Sequence, residues 1–191
     1  NVVFMGMGEP FLNYERVIKA SNILHHQEGF ALGAKRITIS TAGIVPKIER
    51  FIKEGHLYKL AISLNATEDK TRQKIMPLNR NWPIKKIIKS AARFAARKNH
   101  DVMFEYVLLK NINDSVEDAV RLSQLIRGID CKVNIIPYNE TDGQYQRPSN
   151  DVIEAFLNTL NEHRKGFRVL VRWSRGEDIN AACGQLAVSN K

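Results

Sequence analysis

At 191 residues and 43% hydrophobic, the chain can bury one sizeable core, and a single domain is the default. No apolar run approaches the roughly 18 residues that a membrane-spanning helix needs, which excludes that class. An excess of 29 Lys+Arg over 20 Asp+Glu, net +9, favours a polyanionic partner, RNA or DNA first, with a basic surface that is merely solvated an equal reading on charge alone. Two cysteines, Cys131 and Cys183, form neither a disulfide framework nor a metal-ligand spacing, and they fit a reducing cytoplasm. The sequence opens inside an apolar run, Val2 to Met5, without the basic flank of a signal peptide. That start predicts the C-terminal part of a longer protein.

Val2 to Met5 reads as a short strand ending in Gly6-Met7-Gly8-Glu9-Pro10. Tyr14, Val17, Ile18, Ser21 and Leu24 fall on one helical face, with Asn13 as the expected N-cap and Gly29 as the stop. Arg36 to Thr41 is β-branched and reads as a strand. Ala42-Gly43 turns the chain into a helix over Val45 to Lys53, closed by Gly55, and Tyr58 to Leu64 is the third strand. The polar stretch from Asn65 to Pro83 is long for a simple connection, so it is expected to be functional or partly helical. Ile84, Ile87, Ile88, Ala91 and Phe94 or Ala95 make a helical stripe, and the lysines and arginines around it read as a solvated outer face. Asp101 to Leu109 is a strand and Ser115 to Ile126 a helix capped by Asp114 or Ser115. Cys131 to Pro137 is a strand, Tyr138 to Asn150 a polar loop, Asp151 to His163 a helix and Phe167 to Trp173 the last strand.

Six strands alternating with five helical segments predict an α/β fold of βα units on a parallel sheet. The sheet is either part of a barrel or open and doubly wound. In both, ligands bind at the carboxyl ends of the strands. Those ends carry Gly8, Glu9 and Pro10, then Ser40 to Gly43, then Ser63, Leu64 and Asn65, with Glu105 inside the fourth strand and Asn139 after the fifth. Each has a plain reading: a turn, strand-end hydroxyls, a paired carboxylate. Their concentration at one end suits a polar ligand with an amino acid head and a ribose. Dinucleotide, Walker A and zinc-helix motifs are absent, and none of the five histidines reads as a metal ligand. Cys131, within a strand, reads as a core thiol. Cys183 is flanked by Ala181, Ala182 and Gly184, which leave a sulfur open to approach, as a catalytic thiol or an idle exposed one would be.

Taken in order, Gly6-Met7-Gly8-Glu9-Pro10, Ile39-Ser40-Thr41-Ala42-Gly43, Leu60-Ala61-Ile62-Ser63-Leu64-Asn65, Arg72 with Met76-Pro77, Phe104-Glu105-Tyr106, Ile136-Pro137-Tyr138-Asn139 and Arg175-Gly176-Glu177-Asp178-Ile179 with Ala181-Ala182-Cys183-Gly184-Gln185-Leu186 closely resemble the RlmN/Cfr family of radical S-adenosylmethionine RNA methyltransferases. The resemblance spans essentially the whole chain, and the Arg-Gly-Glu-Asp-Ile wording is closer to the RlmN branch. It implies a partial (β/α) TIM-like barrel of the radical SAM type, lacking its first βα unit, as one core domain over residues 1–191. The implied cofactors are S-adenosylmethionine and a 4Fe-4S cluster. By the same resemblance Gly8 and Glu9 contact the methionyl part of the cofactor. Ser40, Ser63, Leu64, Asn65 and Asn139 complete its site, although the family often has His at the position of Asn65.

The resemblance further implies that Cys183 accepts a methyl group, that a 5′-deoxyadenosyl radical takes a hydrogen from that methyl, and that the carbon radical adds to C2 of an adenine in RNA. The logic is chemical. Adenine C2 is a poor partner for polar methyl transfer, and a thiolate is a carrier that can be methylated and released. The implied partners are 23S rRNA, with transfer RNA second, and no membrane. The family's three cluster cysteines, in Cys-x-x-x-Cys-x-x-Cys spacing, have no counterpart here, nor do its second catalytic cysteine and its proposed acidic base. The chain alone is therefore expected to be inactive. Alternatives are a Cfr-type enzyme acting at adenine C8 and a non-catalytic RNA-binding relative.

Overall fold

The computed structural model describes residues 1–6, 8–140 and 144–173. Cys183 and the motif around it lie outside them. The strands are β1 (Val2–Phe4), β2 (Ile37–Thr41), β3 (Lys59–Ser63), β4 (Val102–Leu108), β5 (Cys131–Pro137) and β6 (Arg168–Val171). The helices are α1 (Tyr14–His25), α2 (Val45–Lys53), α3 (Asp69–Ile75), α4 (Ile84–Ala95), α5 (Val116–Leu125) and α6 (Asn150–Glu162). The long polar segment after β3 thus holds α3 and a 3-10 turn, Pro77–Arg80.

Local chemistry explains most boundaries. Ser115 caps α5 by accepting from the Asp118 amide at 3.1 Å while its hydroxyl donates to the Asp118 carboxylate at 2.8 Å. Ser149 caps α6, which has Asp151 in its first turn, where an acidic group opposes the helix dipole favourably. Of the two expectations at α1, one holds in position and one needs correcting. Asn13 holds the N-cap position but makes no side-chain cap bond. Gly29 is not the stop: α1 ends at His25, where the His26 amide turns back onto the carbonyls of Asn22 and Ile23.

All neighbouring strands are parallel and their order is β1-β2-β3-β4-β5-β6. Residues paired across parallel strands share a face. The register Ile39–Leu60–Val102–Cys131 defines one face, and Ser63–Glu105–Asn134–Leu170 the other. The first packs in the hydrophobic core against Phe51 of α2, Phe94 of α4, Leu122 of α5 and Phe156 of α6. No residue on the Glu105 face of β2 to β5 belongs to that core. Helices on one side and strands in sequential order make a singly wound, barrel-type sheet, which settles the choice against a doubly wound one. Among the described residues β1 and β6 do not pair, so the barrel is open. Its inner face carries Ser40, Ser63, Glu105 and Asn134.

Candidate active site

Beyond β1 the chain passes through Gly6 and Gly8, at φ +111° and +93°. A Cβ added at either would meet nothing within 4 Å, so the left-handed backbone there borders open space. Glu9 follows. Its Oε1 accepts from the Phe11 amide at 2.9 Å and its Oε2 from the Ala42 amide at 2.6 Å. The carboxylate therefore ties the β1 turn to the β2 turn. A carboxylate has about four acceptor positions, which leaves capacity for a ligand ammonium.

Ser40 and Ser63 converge on Glu105. The Ser40 hydroxyl donates to Glu105 Oε2 at 3.0 Å, and the Ser63 hydroxyl reaches the same oxygen at 3.5 Å. Glu105 is 4% exposed, and its second oxygen, Oε1, is buried without a hydrogen-bond partner among the described residues. Burial pushes this carboxyl above the usual range, against the pull of the Ser40 hydroxyl, the Arg172 charge and the Ser63 hydroxyl.

Leu64 and Asn65 are bound into the fold. Leu64 is fully buried; its amide donates to the Glu105 carbonyl at 2.9 Å and its carbonyl accepts from Arg72 Nε at 2.8 Å. Asn65 is left-handed, φ 57°. Its Oδ1 accepts from the Val107 amide at 3.0 Å, its Nδ2 donates to Met76 Sδ, and its carbonyl accepts from Asn113 Nδ2 at 2.7 Å. Asn139 is buried just past β5. The structure thus brings Ser40 and Ser63 together through Glu105, sets Glu9 against the turn after Ser40, and gives Asn65 a side chain already turned to β4. The position of Cys183 lies outside the described residues.

Two residues that organise these strand ends carry weak sequence signals. Arg72 is fully buried and donates to the carbonyls of Leu64, Ala42 and Ser63 and to Asn79 Oδ1. Burial pushes its guanidinium down to about 10, with Asp69 opposing the shift, so it stays charged at neutral pH. Asn113 is also fully buried. It accepts from the Leu109 amide at 2.7 Å and donates to the carbonyls of Asn65 and Val107. In sequence both sit in polar stretches that look solvated. Glu105 had a signal, a lone carboxylate in an otherwise uncharged strand.

Residues 1–123 match the Radical SAM superfamily. The chain belongs to that superfamily. It is 46% identical over 187 residues to a dual-specificity RNA methyltransferase RlmN of Geobacter sulfurreducens, covering 97% of this chain and 51% of that protein. An RlmN of Paracoccus denitrificans is 47% identical, with 97% and 47% covered. The crystal structure of a radical SAM methyltransferase from Sphaerobacter thermophilus superposes with a TM-score of 0.91 at 46% identity, covering 97% of this chain and 54% of that one. The chain therefore spans about half the length of these relatives.

Membership of the radical SAM superfamily implies S-adenosylmethionine and a 4Fe-4S cluster. The strand ends fit the first: an open glycine turn, a carboxylate with spare acceptor positions, and two hydroxyls gathered on a buried Glu105. They do not fit the second. The sequence has two cysteines, Cys131 is buried in β5, and no group of three His, Cys, Asp or Glu among the described residues could hold a metal. A cluster held by three thiolates is not built by this sequence.

Proposed function

We propose that residues 1–191 form one radical SAM core domain of an RlmN-type RNA methyltransferase that methylates C2 of an adenine in 23S rRNA, with transfer RNA as a second substrate. The observation that carries this reading is identity of 46% to a dual-specificity RNA methyltransferase across 97% of the chain. Bound in a longer protein that also holds a 4Fe-4S cluster, S-adenosylmethionine would supply the methyl group and, on receiving one electron from that cluster, the radical that later takes a hydrogen from it. Glu9 takes hydrogen bonds from the ammonium of the cofactor, Gly8 lets it approach the backbone, and Ser40, Ser63, Leu64, Asn65 and Asn139 line the remainder of the site. Cys183 holds the methyl group as a thioether between the two halves of the reaction. The net charge of +9 supports binding to RNA phosphates. The target base leaves its stack to reach the site. A cytoplasmic setting belongs to the same proposal, supported by a sequence whose two cysteines make no disulfide framework.

With two cysteines, the 191-residue chain has no methyltransferase activity by itself. Expression in bacteria lacking endogenous RlmN-type methylation, followed by RNA digestion and mass spectrometry, tests the assignment. We expect no methyladenine from this chain. We expect C2-methyladenine from a longer protein that adds the three cluster cysteines, one extra methyl on its Cys183 peptide, and loss of the RNA product in Cys183→Ala. A C8 product moves the protein to the Cfr type. Unchanged RNA methylation in Cys183→Ala overturns the carrier role.

A further inference from the structure

The carboxylate of Glu105 is costly where it lies. It is 4% exposed, the Arg172 charge acts on it only against a larger desolvation by burial, and its Oε1 has no hydrogen-bond partner among the described residues. A position selected only for stability would favour an apolar residue of similar size, because a buried carboxylate loses more in desolvation than two hydroxyl bonds return. What Glu105 does is accept. Both hydroxyls that reach it, from β2 and from β3, are donors to the single atom Oε2. A serine hydroxyl has one proton and two lone pairs. Once the proton points at Oε2, only lone pairs face the ligand.

We propose that Glu105 is a positioning residue of the cofactor site: it draws the protons of Ser40 and Ser63 onto Oε2, so both serines meet the ligand as hydrogen-bond acceptors only. This rests on the cofactor-binding reading above and extends it, because it states which ligand groups the serines recognise. They select donors, either ribose hydroxyls or the ammonium, and turn away acceptors such as a carboxylate oxygen or an adenine ring nitrogen. Ser40, at 3.0 Å, is held more firmly than Ser63, at 3.5 Å.

Two substitutions separate this role from charge and from packing. Glu105→Gln keeps a carbonyl oxygen that can accept both hydroxyl protons. Glu105→Leu keeps the bulk and offers no acceptor, so the hydroxyls rotate freely. The probe is S-adenosylhomocysteine, titrated calorimetrically into the 191-residue chain and both variants, with thermal unfolding checking that each is folded. We expect Leu to weaken binding about tenfold, the value of orienting two neutral hydrogen bonds, and Gln to stay within about threefold of the native chain. The same titrations with the 2′,3′-dideoxyribose analogue and with the des-amino analogue identify the donor. The Leu penalty disappears for whichever analogue lacks the group the serines accept from. Because Glu105→Leu could disturb the strand, the double variant Ser40→Ala/Ser63→Ala is a second route. It should show the same ligand-dependent loss with Glu105 intact. Equal losses in Gln and Leu would make the charge, not the orientation, the active element and overturn the proposal. So would a Leu variant that binds like the native chain, or a Leu penalty undiminished for both analogues. Failure of the native chain to bind S-adenosylhomocysteine sinks the cofactor reading itself, and this inference with it.

Discussion

Arg72 Nη2 donates at 2.7 Å to the carbonyl of Ala42, fixing the turn after β2 to a helix that begins after β3. The same nitrogen reaches the Ser63 carbonyl at 2.9 Å, and Nε reaches that of Leu64 at 2.8 Å. One buried cation therefore closes the carboxyl ends of two adjacent strands and sets the spacing of the turns that carry Ser40 and Ser63. Replacing it by Met keeps length and apolar bulk but strands three carbonyls without donors. We expect Arg72→Met to lose about 3–5 kcal/mol, as for other broken buried charge networks. The check is the urea midpoint at constant m-value. Arg72→Lys should recover only part, because an ammonium cannot present the guanidinium fork. A loss below about 1 kcal/mol for Arg72→Met would remove Arg72 from its organising role.

Gly43 sits at the same turn, with φ +104° and the position of a Cβ only 2.7 Å from Ile87 Cδ1 of α4. Backbone conformation and space both require glycine. Gly43→Ala should cost about 1–3 kcal/mol. Ile87→Val deletes Cδ1, so the alanine should cost less in that background, with a coupling of about 0.5–1 kcal/mol in a double-mutant cycle. The remainder is backbone strain, which no change at Ile87 relieves. Simple additivity of the two substitutions would show that the contact is not the limiting one.

What the sequence revealed here follows from periodicity. β5 runs from Cys131 to Pro137 and α2 from Val45 to Lys53, as the apolar patterns indicate, because each element buries one regular stripe or face. The partly helical character of the stretch after β3 is legible from its length, but the bounds of α3 are not, because Asp69 to Ile75 is mostly polar and is held by Arg72 rather than by an apolar face. The same limit applies to the site. Glu9 and Ser40 stand out at strand ends. Yet nothing in the residue types of Asn65 and Asn113 reveals that their amides take up the backbone groups of Val107 and Leu109. The Asn65 pairing joins segments 42 residues apart, where local pattern has no reach; Asn113 folds back over four to six residues in a loop, where neither helical nor strand periodicity applies. Gly29 misled for a related reason: the chain leaves α1 through backbone bonds of His26 that need no glycine.

Cys131 lies on the core face of β5 and is 3% exposed. Burial pushes its thiol up to about 12, with the nearby carboxylates of Asp130 and Asp101 adding to the shift. Since the thiolate is the nucleophile, Cys131 should be inert in the folded chain. A Cys183→Ser variant, whose only thiol is Cys131, should take up no iodoacetamide at pH 8 when folded and one equivalent per chain in denaturant. Rapid alkylation of the folded variant would contradict the packing of β5.

Glu105 links stability to pH with a sign opposite to that of a surface carboxylate. Its folded-state pKa is raised by burial above the value near 4.3 expected when unfolded. Between those two values the folded chain binds more protons than the unfolded one. The stability tied to the protonated form is therefore fully present below the unfolded pKa and is lost as pH rises through the folded one. Glutamine has no proton to lose and can still accept from Ser40. The native chain should then be less stable than Glu105→Gln at pH 8, with the gap narrowing toward pH 5. Urea midpoints of the two proteins at both pH values test this directly. A native chain more stable than the variant at pH 8 would mean that the buried carboxylate is paired by something other than the two serines. The expected result is a trade: the fold gives up stability to hold a carboxylate that directs two hydroxyl protons, and a bound ligand donating to those serines restores part of it by mass action.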